Sequence, residues 1–125
     1  MVEDEISKVV IGCAITVHKE LGPGLLESTY ETCLEYELKE NGLEVQRQLL
    51  LPVNYKGKLI DTGYRIDLLV NERVIVELKS VEEMTKVHEA QLITYLKLSG
   101  MKLGLLINFN EAYLKNGIKR LVNNF

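Results

Sequence analysis

Three residues in the middle of the chain, Asp67, Glu77 and Lys79, have the types and spacing to hold a metal ion and a water molecule. The residues around them form two runs rich in Val, Ile and Leu, separated by a short polar stretch, which predicts a β-hairpin. Side chains alternate between the two faces of a strand, so Glu77 and Lys79 must share one face while their neighbours enter a core. The pattern therefore predicts a carboxylate and an ammonium group side by side on a rigid element.

The length of the hairpin loop decides whether Asp67 joins that face. Residues directly opposite in an antiparallel pair share a face, and a slip of one residue reverses this. A two-residue loop at Asn71-Glu72 would set Asp67 opposite Val76. A three-residue loop that also includes Arg73 sets Asp67 opposite Glu77. We predict the three-residue loop or an equivalent bulge, because a carboxylate directed into the apolar layer would cost several kcal/mol or be protonated.

Two carboxylates on one face can bind a hard divalent cation such as Mg²⁺ through oxygen, and the backbone carbonyl of Leu78 can add a third ligand. Lys79 beside such a cation could orient or help to deprotonate a water molecule, or stabilise negative charge on a phosphate under attack. The structural alternative is an ordinary charge-patterned strand with Glu and Lys two residues apart. The hairpin alone leaves both interpretations open.

Gln91 and Tyr95 form a second polar group, on the helix that apolar spacing predicts over residues 86–99. They are four residues apart, so they project from one face, one turn from each other. This face could meet the carboxylates and contact a nucleic-acid backbone or a water network. The alternative is a partly exposed helix face with no functional role.

Glu27 lies in the first turn of a helix predicted from about residue 25 to residue 41. The helix dipole favours an acid in this position, which is one sufficient explanation, and a place near the metal is the other. Glu31 is four residues on and could share the face of Glu27, which makes it a weaker candidate. The local positive residues that could contact phosphate, or simply be solvated, are Arg47, Lys56, Lys58 and Arg65.

The elements that must position these residues follow from periodicity and from glycine and proline signals. The order predicted is two N-terminal helices, a three-strand meander, a crossover helix and a further buried strand, which is an α/β fold of the α+β type with a mixed sheet. Residues 111–125 could close a short helix or an edge strand. The predicted helices and strands cover residues 4–20, 25–41, 43–55, the strands on either side of 71–73, 86–99 and 102–108.

The composition bounds the class of protein. The chain has 125 residues, 46% of them apolar and 26% charged, which predicts one globular domain over residues 1–125. A net charge of −3 argues against a broad basic surface for nucleic acid but allows a local cationic groove. We expect no membrane segment, a cytoplasmic location, and buried free thiols at Cys13 and Cys33.

The combination of Asp67, Glu77-Leu78-Lys79 and Gln91-Leu92-Ile93-Thr94-Tyr95 resembles the PD-(D/E)xK nuclease superfamily, in particular its branch with a QxxxY motif after the catalytic hairpin. The segment Gly24-Leu25-Leu26-Glu27-Ser28-Thr29-Tyr30 is similar to the defining motif of the GxxExxY proteins, which are placed in that superfamily. The resemblance covers nearly the whole chain, with four motifs in the expected order. Ile66 stands where the superfamily's name has proline, a position that varies among such proteins.

The resemblance implies a nuclease fold that uses Mg²⁺ or Mn²⁺ and acts on nucleic acid, with DNA expected by family analogy. It implies Asp67, Glu77 and the Leu78 carbonyl as metal ligands and Lys79 as the catalytic lysine. Glu27 would be a helix-borne acid, and Gln91 and Tyr95 would be supporting residues. The alternatives are a catalytically silent binding module and a subunit that needs a second copy or a partner protein to hold its substrate.

Overall fold

A five-stranded mixed sheet forms the centre of the fold. The computed structural model describes residues 1–123, in which three α-helices accompany this sheet and a separate two-stranded hairpin. The sheet order is β1-β4-β5-β6-β7, with β5 and β6 parallel and the other neighbours antiparallel. The α+β class predicted from the sequence is confirmed. The elements are α1 (Glu3–Leu21), α2 (Glu27–Glu40), β1 (Val45–Leu50), β2 (Val53–Tyr55), β3 (Lys58–Ile60), β4 (Arg65–Val70), β5 (Val74–Lys79), α3 (Lys86–Ser99), β6 (Leu103–Asn108), a 3₁₀ helix (Leu114–Gly117) and β7 (Ile118–Val122).

The predicted three-strand meander is present as β1, β4 and β5, but a small hairpin interrupts it. The single strand predicted over residues 43–55 is divided into β1 and β2, because the chain leaves the sheet at Leu51 and Pro52. Proline has no amide hydrogen to donate to a ladder, which disfavours continuing a central strand through that position. The Leu51 amide instead donates to the Tyr64 carbonyl at 2.8 Å, which closes the base of the β2–β3 hairpin.

Helices cover both faces of the sheet. On β5, Val74, Val76 and Leu78 pack in one core cluster with α1 and α2, whereas Ile75 packs on the other face with Leu92 of α3. Because both faces are covered, β6 is buried along its whole length, as expected for a strand reached by a helical crossover. The crossover helix has the predicted bounds of residues 86–99.

The end of the chain contains both of the structures that the sequence left open. The short 3₁₀ helix precedes β7, an edge strand antiparallel to β6, and residues 124–125 lie outside the described part. Cys13 is a buried free thiol as expected, and Cys33 is free but only partly buried. Within residues 1–123, no helix combines the length and the apolar character needed to cross a bilayer.

Candidate functional site

The β4–β5 hairpin has the three-residue loop predicted from the sequence. Val70 pairs with Val74 and Leu68 with Val76, so the loop consists of residues 71–73. Asn71 and Glu72 have φ values of 51° and 54°, the left-handed conformation that such tight loops require. This register sets Asp67 opposite Glu77.

The two acids hold the end of the hairpin together through their side chains. The regular ladder ends at the pair Leu68–Val76. Beyond it, the Asp67 amide donates to Glu77 Oε2 at 2.7 Å, and the Leu78 amide donates to Asp67 Oδ2 at 2.9 Å. Each carboxylate therefore accepts a backbone hydrogen bond from the opposite strand, which fixes the two acids close to each other.

Burial disfavours the charged forms of both acids, and the charge of a neighbouring acid adds to this effect at each of them. Glu77 is 3% exposed, and burial followed by the charge of Asp67 raises its pKa to about 8. Burial also raises the pKa of Asp67, against the hydrogen bonds from the Leu78 amide and the Gln48 side chain, which lower it. The charge of Glu27 raises the Asp67 pKa further, so the helix-borne acid acts on the same site.

Lys79 is half-buried at the end of β5, where its charge lowers the pKa of both Asp67 and Glu77. The parallel partner of Lys79 on β6 is Asn108, and the Phe109 amide donates to the Lys79 carbonyl at 2.9 Å. The Asn108 side chain, fully buried, bonds the amide and the carbonyl of Val81 at 3.1 and 3.0 Å. The backbone on both sides of Lys79 is therefore held by β6.

The segment Gly24–Tyr30 places Glu27 at the edge of this site. The Tyr30 hydroxyl donates to the Gly22 carbonyl at 2.5 Å and accepts from the Leu25 amide at 3.1 Å. Its ring stacks on Phe109 with a centroid distance of 4.4 Å. The Ser80 hydroxyl, one residue after Lys79, donates to the Leu25 carbonyl at 2.6 Å. These contacts join the start of α2 to the end of β5.

Removing the Tyr30 hydroxyl tests how firmly this loop is held. In Tyr30→Phe the ring can still stack on Phe109, but the Gly22 carbonyl and the Leu25 amide lose a buried partner. We expect the free energy of unfolding to fall by about 1–2 kcal/mol, measured by urea denaturation. Tyr36→Phe is the matched control, since Tyr36 is 61% exposed on the same helix. Equal effects of the two substitutions would contradict the role given to the Tyr30 hydroxyl.

Helix α3 turns Tyr95 toward the carboxylates. Tyr95 is 5% exposed, and its ring lies 6.1 Å from that of Tyr64. Burial, followed by the charges of Glu77, Tyr64 and Asp67, raises the Tyr95 pKa. Gln91 is half-buried one turn earlier on the same helix. The structure thus brings Tyr95 into the electrostatic environment of the two acids.

Glu31 and Arg47 are paired with each other. Glu31 is 5% exposed, and its Oε2 accepts a hydrogen bond from Arg47 Nε at 2.6 Å. Arg47 also lies 3.5 Å from Glu35, so α2 holds its guanidinium. The Arg47 guanidinium is therefore engaged by two acids in the structure, and a contact of Arg47 with phosphate stays a prediction. Lys56, Lys58 and Arg65 are exposed.

One residue at the site was missed from the sequence. Gln48 Nε2 donates to Asp67 Oδ1 at 3.2 Å and to Glu31 Oε1 at 2.8 Å. Nothing in the local pattern of a strand marks a single Gln for this contact, which spans 19 residues to Asp67. Asn108 and Ser80 were also missed. A polar residue directly after the apolar run of β6 was the available signal for Asn108.

The donor atoms suit a hard divalent cation. In the described residues 1–123, no three His, Cys, Asp or Glu side chains are grouped so as to hold a metal by themselves. The donors that the structure brings together are the carboxylates of Asp67 and Glu77, and the Leu78 carbonyl stays a predicted third ligand. All of these donors are oxygen atoms, and Mg²⁺ commonly binds through one or two carboxylates while it keeps several water molecules. A cation would also relieve the repulsion between Asp67 and Glu77. The residues present therefore fit the metal that the fold family implies.

Comparison with known proteins identifies the family. A model of the PD-(D/E)XK nuclease superfamily matches residues 4–121. The chain therefore belongs to this superfamily, whose members are generally nucleases and typically use divalent metals such as Mg²⁺. Searches of curated proteins and of solved structures gave no significant match.

Proposed function

We propose that this protein is a divalent-cation-dependent nuclease that hydrolyses phosphodiester bonds in nucleic acid in the cytoplasm. The observation that carries the proposal is the pair of acids, Asp67 and Glu77, fixed opposite each other with Lys79 beside them. A regular strand does not need two repelling carboxylates at one buried position, so this pair favours a cation-binding role over a structural one. Membership in the superfamily supports the same class of reaction.

Each residue then has a defined part in the reaction. Asp67, Glu77 and the Leu78 carbonyl would hold Mg²⁺ or Mn²⁺, which supplies activation of water and neutralisation of phosphate charge when bound. The Lys79 ammonium would orient the attacking water and stabilise the charge that develops on the phosphate oxygens. Glu77, Leu78 and Lys79 lie at the end of β5, which pairs with β6. This pairing keeps the three residues preorganised for the reaction.

Glu27, Gln91 and Tyr95 would complete the site. Glu27 stands on the first turn of α2, where its carboxylate can accept a proton or a hydrogen bond from water at the open edge. The hydroxyl of Tyr95 and the amide of Gln91 would orient water or the nucleic-acid backbone from α3. We propose on these assignments that the chain is a member of the GxxExxY and QxxxY branch, and the bonding of Tyr30 to the loop before Glu27 gives that motif a structural role.

The substrate we propose is DNA, by analogy with the family. The chain carries a net charge of −3, so phosphate must be met by local cations. Lys56 and Lys58 lie at the turn of the β2–β3 hairpin, and Arg65 begins β4, two residues before Asp67. This hairpin leaves the sheet beside the acids and is suited to guide a strand toward them. A second copy or a partner protein could extend that surface.

Cleavage assays with the full chain test the proposal directly. Labelled single-stranded and double-stranded DNA and RNA are incubated with Mg²⁺, Mn²⁺ or chelator. We expect cleavage that requires the cation and is lost in Asp67→Ala, because that variant lacks a proposed ligand. Asp61→Ala, which removes an exposed acid from the β2–β3 region, is the control and should cleave normally.

Three outcomes of these cleavage assays would contradict the proposal, and each leads to a different conclusion. No cleavage by a folded protein that binds Mn²⁺ would redirect the proposal to a nuclease subunit that needs a partner. A folded protein that binds no cation and cleaves nothing would favour a silent module that retains the fold. Cleavage that persists unchanged in Asp67→Ala would assign it to another site or to a contaminant.

A further inference from the structure

Gln48 has a backbone conformation that does not belong in a strand. Four residues other than glycine have positive φ in the described part of the chain, and three of them, Lys56, Asn71 and Glu72, lie in turns. Gln48 lies inside β1 with a φ of 54°. For a residue with a side chain this conformation is unfavourable, and it persists only where the surrounding structure holds it.

The strained residue lies directly opposite Asp67. Arg47 pairs with Leu68 and Leu49 pairs with Ile66, so the register is the same before and after Gln48. No residue is inserted, and the ladder is interrupted only where Gln48 faces Asp67. The strain is therefore located at the acid that we propose as a metal ligand.

The strain changes the direction of one side chain. Neighbouring residues in a regular strand point to opposite faces. Here Arg47 and Gln48 both reach the same buried acid, Glu31, at 2.6 and 2.8 Å. The backbone turn at Gln48 thus brings its amide to the face where Glu31 and Asp67 lie.

The amide of Gln48 joins the two acids. Its Nε2 carries two hydrogens, and the two acceptors it contacts are Glu31 Oε1 and Asp67 Oδ1. The other oxygen of Asp67 accepts from the Leu78 amide, so both oxygens of this carboxylate are oriented. Glu31, which is itself held by Arg47, anchors the arrangement to α2.

We propose that Gln48 is a positioning residue that orients Asp67 for cation binding, with Glu31 as its anchor on α2. This inference rests on the proposed function of Asp67 as a ligand. A donor behind a metal-binding carboxylate fixes its rotamer and reduces the ordering that binding would otherwise require. Glu31 accordingly serves as a support for Gln48 and Arg47 and is not a further metal ligand.

Calorimetric titration of the chelator-treated protein with Mn²⁺ tests the proposal. Gln48→Ala and Gln48→Gly both remove the amide, but glycine tolerates positive φ, so Gln48→Gly also removes the strain. We expect both variants to bind Mn²⁺ about 10-fold more weakly. Gln46→Ala is the matched control, an exposed Gln two residues earlier on the same strand. It should bind as the wild type does.

Cleavage kinetics supply a readout that a general structural defect would not reproduce. In Gln48→Gly, the cation concentration for half-maximal cleavage should rise with the dissociation constant, while the rate at saturating cation changes far less. Wild-type affinity in folded Gln48→Gly would overturn the role of Gln48 and leave the proposed function intact. A loss of rate at saturation with unchanged affinity would also overturn it. A wild-type protein that binds no Mn²⁺ and cleaves nothing would overturn both proposals.

Discussion

The Glu77→Gln variant should be more stable than the wild-type protein near neutral pH in the presence of chelator, although it should have lost cation-dependent cleavage. Glutamine keeps the oxygen that accepts the Asp67 amide hydrogen, and it cannot ionise, so folding no longer has to protonate a side chain that is charged in the unfolded chain at pH 7. Substitution of a functional residue is expected to increase stability where the electrostatic interactions of a site are unfavourable until its ligand is bound.

The pH dependence of this gain follows from the pKa. Burial and Asp67 raise the pKa of Glu77 to about 8, well above its ordinary value of 4.5. The protonated form is therefore favoured by folding, so wild-type stability is fully present below about pH 4.5 and is lost as pH rises toward 8. The advantage of Glu77→Gln should be absent at pH 4 and should approach about 3 kcal/mol at pH 7, on the order of 10 °C in Tm.

Thermal melts at several pH values measure this effect. Glu82→Gln makes the same chemical change at an exposed acid after β5 and should leave Tm nearly unchanged. Addition of Mn²⁺ should raise the Tm of the wild type and leave that of Glu77→Gln where it was, because only the wild type retains both carboxylates. A variant that melts earlier than the wild type at pH 7 would mean that Glu77 is a structural acid.

The Lys79→Met variant should lose at least about 100-fold in turnover while it still binds Mn²⁺. Methionine fills a similar volume beside the core but lacks the ammonium group that would stabilise charge on the phosphate, a contribution typical of a preorganised electrostatic group. Because the Lys79 charge lowers the pKa of Asp67 and Glu77, its removal raises both values. Mn²⁺ binding should therefore shift to higher pH and remain detectable at pH 9.

Single-turnover cleavage and Mn²⁺ titration separate the two roles of Lys79. Lys97→Met removes an exposed lysine from α3 and should retain both activities. Unchanged turnover in Lys79→Met would remove this residue from the mechanism. Loss of Mn²⁺ binding at pH 9 would instead assign Lys79 to the architecture of the binding site.

Local patterns were sufficient for the hairpin and the helix that follows it. The alternation in Val74–Lys79 and the polar residues 71–73 determined the loop, since a slip of one residue would have directed Asp67 into the apolar layer. The apolar spacing of α3 determined its bounds, with Gly100 as its C-cap at a φ of 75°. These features depend on residues within one turn or one strand of each other, which is the range over which sequence periodicity carries information.

The sequence by itself determined that Asp67 and Glu77 face each other. It also identified further candidate residues for the same site, namely Lys79, Glu27, Gln91 and Tyr95. Only the tertiary structure decided which strand lies beside Asp67 on its other side. That neighbour is β1, whose Gln48 is 19 residues away in the chain and adopts a conformation that no strand pattern encodes. The pairing of Glu31 with Arg47 was decided in the same way, because burial between α2 and β1 made a neutralising partner necessary for that acid.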